Sequence, residues 1–167
     1  MVAVYHDMLT VLPKLLSFAF SFIVLCIFWV NHHHFYHQLT HLDWPLLWHN
    51  CNLLFWLCIV PFTTAFVGDY PAVPLVISAY AFVLCMASLA FRLMARHAFF
   101  HSDLTGGKIA AGSLRKEFNR ILPGVVGYAF AVIAPYASIW LAWAVLVLIP
   151  LIYFVPKLAK PDECDEI

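Results

Sequence analysis

Long apolar stretches alternate with short polar segments along this chain, and they predict helices that cross a membrane. The longer stretches reach the roughly 20 residues that a helix needs to span a bilayer core. Lipid offers no partner to exposed backbone groups, so continuous helices are expected within each stretch. Five membrane helices are predicted, at residues 12–33, 46–67, 73–94, 121–135 and 138–155.

The segment 95–120 is the longest polar connection, and it holds or adjoins most of the basic residues of the chain. It is predicted to be a loop that contains a short basic helix at 113–120. Five spans place this loop on the same side of the membrane as the C-terminal tail, which carries Lys157 and Lys160. Because basic residues are enriched on the cytoplasmic side, the loop and the C-terminus are predicted to be cytoplasmic.

Composition agrees with a membrane protein. Of the 167 residues, 64% are hydrophobic and only 11% are charged, against about 25% charged in a typical soluble domain. The predicted fold is therefore all-α, a polytopic membrane helix bundle that forms a single membrane domain over residues 1–167. The formal net charge is zero, which argues against a nucleic-acid partner.

Several histidines crowd the end of the first predicted helix. If that helix continues, His33, His37 and His41 lie on one stripe at i, i+4 and i+8. Two histidines at this spacing can bind zinc, and Asp43 would complete a site. The alternatives are an interfacial belt at headgroup depth and a charge that depends on pH, because histidine titrates near neutrality.

A second histidine pair follows the third predicted helix. His97 and His101 repeat the i, i+4 spacing, and Asp103 comes two residues later. This segment is a second, weaker candidate for metal binding or for an interface.

Patterns typical of an enzyme are not found in the sequence. It contains no glycine-rich phosphate loop, no His-Glu-X-X-His motif and no pair of carboxylates inside an apolar run. Ser17 and Ser21 lie one turn apart, but no base is near them in sequence. The chain is therefore predicted not to be an enzyme, and no cofactor is predicted.

Polar residues stand at the facing ends of the first two predicted helices. They include Asn31 on the first helix and His49, Asn50 and Asn52 on the second. The two helices are joined by a short loop, so they should be antiparallel neighbours whose polar ends meet. Hydrogen bonds between the helices are expected there, either as simple packing contacts or as a network that fixes a pore-lining helix.

Pro61 falls inside the second predicted helix. Proline lacks a backbone N–H and clashes with the preceding turn, so a kink and a free carbonyl near Leu57 are predicted. The hydroxyls of Thr63 and Thr64 are candidates to bond that carbonyl.

Three short motifs in the first half of the chain carry a family resemblance. They are Trp-Val-Asn-His-His at 29–33, Leu-Leu-Trp-His-Asn at 46–50, and Pro-Phe-Thr-Thr-Ala at 61–65, the last followed by Gly-Asp-Tyr-Pro at 68–71. In this combination the chain resembles the transmembrane protein 175 family, which includes endosomal and lysosomal potassium channels and small bacterial relatives. The similarity covers roughly residues 12–94.

The resemblance implies a six-helix repeat, and in small bacterial members four such subunits around one pore. The family's first helix lines the pore and carries a Phe-Ser-Asp motif, which has no match in the eleven residues before the first predicted helix. The chain is therefore predicted to lack that pore-lining helix. By carry-over, Trp29, Asn31 and His32 are predicted to brace a pore helix, and His49 and Asn50 belong to the same predicted network.

The function implied by this resemblance is passive permeation of potassium, or of protons, through an oligomeric pore with a hydrophobic constriction. The expected partners are potassium ions, the lipid bilayer and further copies of the chain, a tetramer by resemblance. The expected location is a bacterial plasma membrane. Two alternatives are a truncated, non-conducting scaffold or accessory subunit, and a membrane protein that uses its histidines to respond to metal or pH.

Overall fold

A computed structural model describes residues 2–100, 104–106 and 111–158, and all secondary structure in this part of the chain is helical. This confirms the predicted all-α fold. The helices are α1 (Val2–His37), α2 (Trp44–Asp69), α3 (Pro74–Phe100), α4 (Ala111–Arg120), α5 (Leu122–Ile133) and α6 (Ile139–Leu158), with a 3-10 turn at Ala134–Tyr136.

Four segments within the described residues are long and apolar enough to cross a membrane. A shorter apolar helix at Ile139–Tyr153 follows them and belongs to α6. This confirms a membrane helix bundle with about five hydrophobic helices. The four longer spans are Ser17–His37, Trp44–Asp69, Pro74–Phe100 and Phe118–Tyr136.

The helices extend further than the hydrophobic pattern predicted. The first helix was expected to end at residue 33, but α1 continues to His37, because polar side chains at a helix end can lie at headgroup depth without breaking the helix. The prediction of a loop over 95–120 is wrong at its start, whereas a helix lies where a short basic helix was predicted at 113–120. Residues 95–100 belong to α3, where Ala95 and Ala98 are fully buried, and residues 111–120 form α4.

Helix α3 is the most enclosed element of the bundle. Thirteen of its 27 residues are buried, against five of 26 in α2. It packs against α2 and α5, while α1 packs mainly on α2 and α6 mainly on α5. Small side chains on α3 let neighbouring helices approach closely, as is common between membrane helices. Those with almost no exposed surface are Ala81, Ala87, Ala90, Ala95 and Ala98.

Helices α1 and α2 run antiparallel in close contact. At one end Gly68 of α2 lies so close to Ser17 of α1 that an added Cβ would collide with the serine Oγ. At the other end His32 of α1 meets Asn50 of α2. Glycine at position 68 therefore permits the close approach of the two helices.

Side-chain hydrogen bonds join α3, α5 and α6. Ser78 Oγ on α3 donates to the carbonyl of Val132 on α5, at 2.8 Å. Tyr153 Oη on α6 donates to the Arg120 carbonyl at 2.8 Å and accepts from the Gly124 N–H at 3.1 Å. Backbone groups at helix ends lack intrahelical partners, so this one hydroxyl satisfies both sides of the break between α4 and α5.

The Tyr153 bridge gives a testable prediction. Replacing Tyr153 with phenylalanine leaves the ring but removes the partner of the Gly124 N–H, which is expected to cost about 1–3 kcal/mol of stability. The change is measured as a lowered melting temperature of the detergent-solubilised protein. Tyr136→Phe is the matched control, because that side chain is exposed. Equal melting temperatures for the two variants would contradict the assigned role of Tyr153.

Candidate functional site: polar contacts at one end of the bundle

The C-terminal end of α1, the N-terminal end of α2 and the C-terminal end of α3 lie together, because consecutive helices run antiparallel. Helix α2 begins with Asp43 as its N-cap, and Asp43 Oδ1 accepts a hydrogen bond from the Leu46 N–H at 2.9 Å. Pro45 occupies the first turn, where its missing N–H costs no hydrogen bond. The Asp-Trp-Pro sequence therefore determines where α2 starts.

The same aspartate also contacts α3. Its Oδ2 accepts from His97 Nε2 at 2.8 Å, and the His97 ring lies 5.5 Å from the ring of His49, measured between centroids. In the structure Asp43 thus faces α3, and its completion of a metal site with the α1 histidines stays a prediction. The predicted partners of His97, namely His101 and Asp103, lie outside the described residues. Asp43 thus links the start of α2 to the end of α3.

A second polar contact joins α1 to α2. His32 Nε2 lies 2.8 Å from Asn50 Oδ1, and the carbonyl oxygen of the amide can only accept, so His32 donates. The Tyr36 ring packs one turn along α1, 4.5 Å from the His32 ring. Of the five residues predicted to form a polar network, the structure therefore brings His32 and Asn50 together. Their role in bracing a pore helix stays a prediction.

The other three predicted network residues have different contacts. Asn31 Nδ2 donates to the Ile27 carbonyl of its own helix at 2.7 Å. The Trp29 side chain is 61% exposed and stacks on the His33 ring, with centroids 5.1 Å apart. His49 faces the histidine of α3. None of these contacts joins Trp29, Asn31 or His49 to the pair between α1 and α2.

The histidine stripe of α1 contains one close pair. His33 Nε2 and His37 Nε2 lie 2.9 Å apart on an exposed face. Helix α1 ends at His37, so His41 does not continue the stripe. Within the described residues, no group of three or more His, Cys, Asp or Glu side chains is arranged to hold a metal ion. Chelation by the two helical histidines stays a prediction.

Pro61 lies within α2, which remains a single helix across it. The ring nitrogen of Pro61 cannot donate to Leu57, as predicted. The predicted compensation is wrong in its acceptor, because Thr63 and Thr64 both donate to the Val60 carbonyl, at 3.1 and 2.8 Å. Local side-chain bonding therefore occurs beside the proline, but to a different carbonyl.

A cavity of about 80 Å³ lies between α1, α3, α5 and α6. Its walls are mostly apolar, with Phe28, Phe91 and Tyr128 among them, and Asn31 and Gln38 stand at its polar part. The Gln38 Oε1 atom is buried and has no hydrogen-bond partner among the described residues. The volume has room for several water molecules. Sequence reasoning missed this cavity, since its walls come from helices far apart in the chain.

The contact between α1 and α2 gives a second prediction. In a double-mutant cycle, His32→Ala and Asn50→Ala should show a coupling of about 0.6–1.7 kcal/mol, the range for hydrogen bonds between membrane helices. The readout is the unfolding free energy in mixed micelles.

Asn52 supplies the matched control for this cycle, because it is an exposed asparagine on the same helix. The cycle of His32→Ala with Asn52→Ala should give a coupling near zero. An equal coupling in both cycles, or none in the first, would contradict the specific pairing of His32 with Asn50.

Fold and site together define a class, a polytopic helical membrane protein whose first three helices are joined by polar pairs at one end. A family model described as endosomal/lysosomal potassium channel TMEM175 matches residues 2–61. A protein of Chryseobacterium sp. (strain P1-3) named as a potassium channel is 30% identical over 148 residues, which are 87% of this chain and 74% of that protein. The chain belongs to the TMEM175 family.

Further similarities are consistent with this assignment. A protein of Chamaesiphon minutus named as a potassium channel is 28% identical over 159 residues, 92% of this chain and 76% of that protein. The fold also matches the crystal structure of a lysosomal potassium-selective channel TMEM175 homolog from Chamaesiphon minutus. The TM-score is 0.75 at 23% identity, with 93% of this chain and 79% of that chain covered.

Proposed function

We propose that this chain is a subunit of a potassium channel, in which ions move passively down their gradient. The observation that carries the proposal is the relative named as a potassium channel, which aligns with 87% of this chain at 30% identity. Because the alignment covers 148 residues, the similarity extends well beyond the short histidine-containing motifs.

The distribution of apolar side chains supports an assembly of several copies. Large apolar residues remain exposed along α1, including Leu15, Phe18, Phe22 and Trp29. In a bilayer such a face contacts either lipid or a neighbouring subunit. The pore is proposed to lie between copies, with four copies as the proposed number, and to conduct through a hydrophobic constriction.

The orientation proposed is a cytoplasmic location for the end where α3 and α6 finish. Arg96 on α3 and Arg115 and Lys116 on α4 are exposed in this region. Tyr153 of α6 bonds the carbonyl of Arg120 there, so α6 runs to the same end. Because basic residues are enriched on the cytoplasmic side of membrane proteins, this end is proposed to be cytoplasmic. The similar proteins named above come from bacteria, and this supports a location in a bacterial plasma membrane.

Potassium flux from proteoliposomes tests this function. Vesicles are loaded with potassium and diluted into sodium, and the resulting uptake of protons through an added protonophore is followed by quenching of a pH-sensitive dye. The protein is expected to produce quenching well above that of protein-free vesicles. Quenching without the protonophore would indicate that protons pass through the protein as well.

The oligomeric state is measured on the same preparation by native mass spectrometry. Flux at the protein-free level from an oligomeric, folded preparation would contradict the channel proposal. A monomer that nevertheless conducts would contradict the proposal that the pore is shared between copies.

A further inference from the structure

The outer face of α3 carries two arginines among leucines. Leu89, Arg92, Leu93 and Arg96 are spaced at i, i+3, i+4 and i+7, so they lie on one face of the helix. Beside them stands Phe118 of α4, and these five residues line an open groove of about 410 Å³. The groove therefore combines basic and apolar walls between α3 and α4.

Contacts with α4 hold Arg92 in position. Its guanidinium carbon lies 3.8 Å from the centre of the Phe118 ring, and Nη1 donates to the Phe118 carbonyl at 2.9 Å. A guanidinium has five N–H donors in a planar fork. One donor is used in this contact, so others are available to an anion in the groove.

Arg96 lies one turn further along α3 and is exposed. Among the described side chains, no carboxylate lies within ion-pair distance of either arginine. Two guanidinium groups on neighbouring turns therefore present positive charge to the same groove. A planar guanidinium group can donate two parallel hydrogen bonds to the oxygens of one phosphate.

The depth of the groove matches the boundary between acyl chains and headgroups. With a rise of 1.5 Å per residue, Arg92 lies about 27 Å along α3 from Pro74. A bilayer core is about 30 Å thick, so Arg92 and Arg96 reach headgroup level if α3 enters the core near Pro74. Leu89 lies one turn deeper, and Leu93 is 39% exposed beside the arginines.

We propose that this groove binds an anionic phospholipid. Phosphate oxygens accept hydrogen bonds from Arg92 and Arg96, and an acyl chain packs along Leu89 and Leu93. Charge complementarity selects an anionic headgroup, and the apolar part of the groove favours a lipid over free phosphate. Binding at this position joins α3 to α4 through the shared contact with Phe118.

Lipid binding by the purified chain tests this proposal. Native mass spectrometry in mild detergent compares retention of phosphatidylglycerol with retention of phosphatidylcholine, and the expected result is preferential retention of phosphatidylglycerol. Arg96→Gln should weaken phosphatidylglycerol binding about fivefold, and Arg92→Gln with Arg96→Gln by more. Arg96→Gln alone keeps the Arg92 contacts with Phe118, so it tests the site without disturbing the packing of α4.

The matched control is Arg115→Gln with Lys116→Gln, which removes two positive charges from exposed positions of α4 outside the groove. This control should retain the preference for phosphatidylglycerol, and millimolar inorganic phosphate should not displace the lipid. Equal retention of the two lipids by the unmodified protein would overturn the proposal. An equal loss of binding in the Arg96→Gln protein and the control, or displacement by free phosphate, would overturn it as well.

Discussion

The structure depends on the requirement that polar groups inside a bilayer find their partners within the protein. Lipid offers no hydrogen bonds, so each backbone group released at a helix break needs a nearby donor or acceptor. Tyr153 supplies both at the junction of α4 and α5, and Ser78 of α3 bonds a carbonyl of α5. At the end of α3, level with the headgroups, Asp43 combines an N-cap of α2 with a contact to His97. These contacts join helices that are neighbours in the bundle.

Side-chain packing also holds the helices together. Inside the bundle α3 presents small residues, so its neighbours approach closely, while large aromatic side chains of α1 and α2 remain on the exterior. This arrangement is the reverse of a soluble bundle, in which exposed aromatic residues are few. It leaves extensive apolar surface on α1 for lipid or for further copies of the chain.

The existence and order of the membrane helices could be predicted from the sequence, because long apolar runs leave few alternatives in lipid. The ends of the helices could not be predicted. The histidines after residue 31 indicated the end of the first helix, although α1 continues to His37. The approach of His32 to Asn50 lies where antiparallel neighbours were expected to meet. The pairing of Asp43 with His97 was missed because the two residues are 54 positions apart and on helices whose rotation no local pattern determines. The hydrogen-bonding role of Tyr153 could have been predicted, since a tyrosine hydroxyl in an apolar helix needs a partner.

The central claim, that this bundle belongs to a potassium-permeable assembly, is tested most directly by the reversal potential in a planar bilayer. With potassium on one side and an equal concentration of sodium on the other, a potassium-selective assembly is expected to reverse at a potential of the sign set by potassium diffusion. Replacing sodium by potassium should return the reversal potential to zero. Currents that reverse at zero under both conditions, or that do not exceed those of the bare bilayer, would contradict a potassium-selective pore.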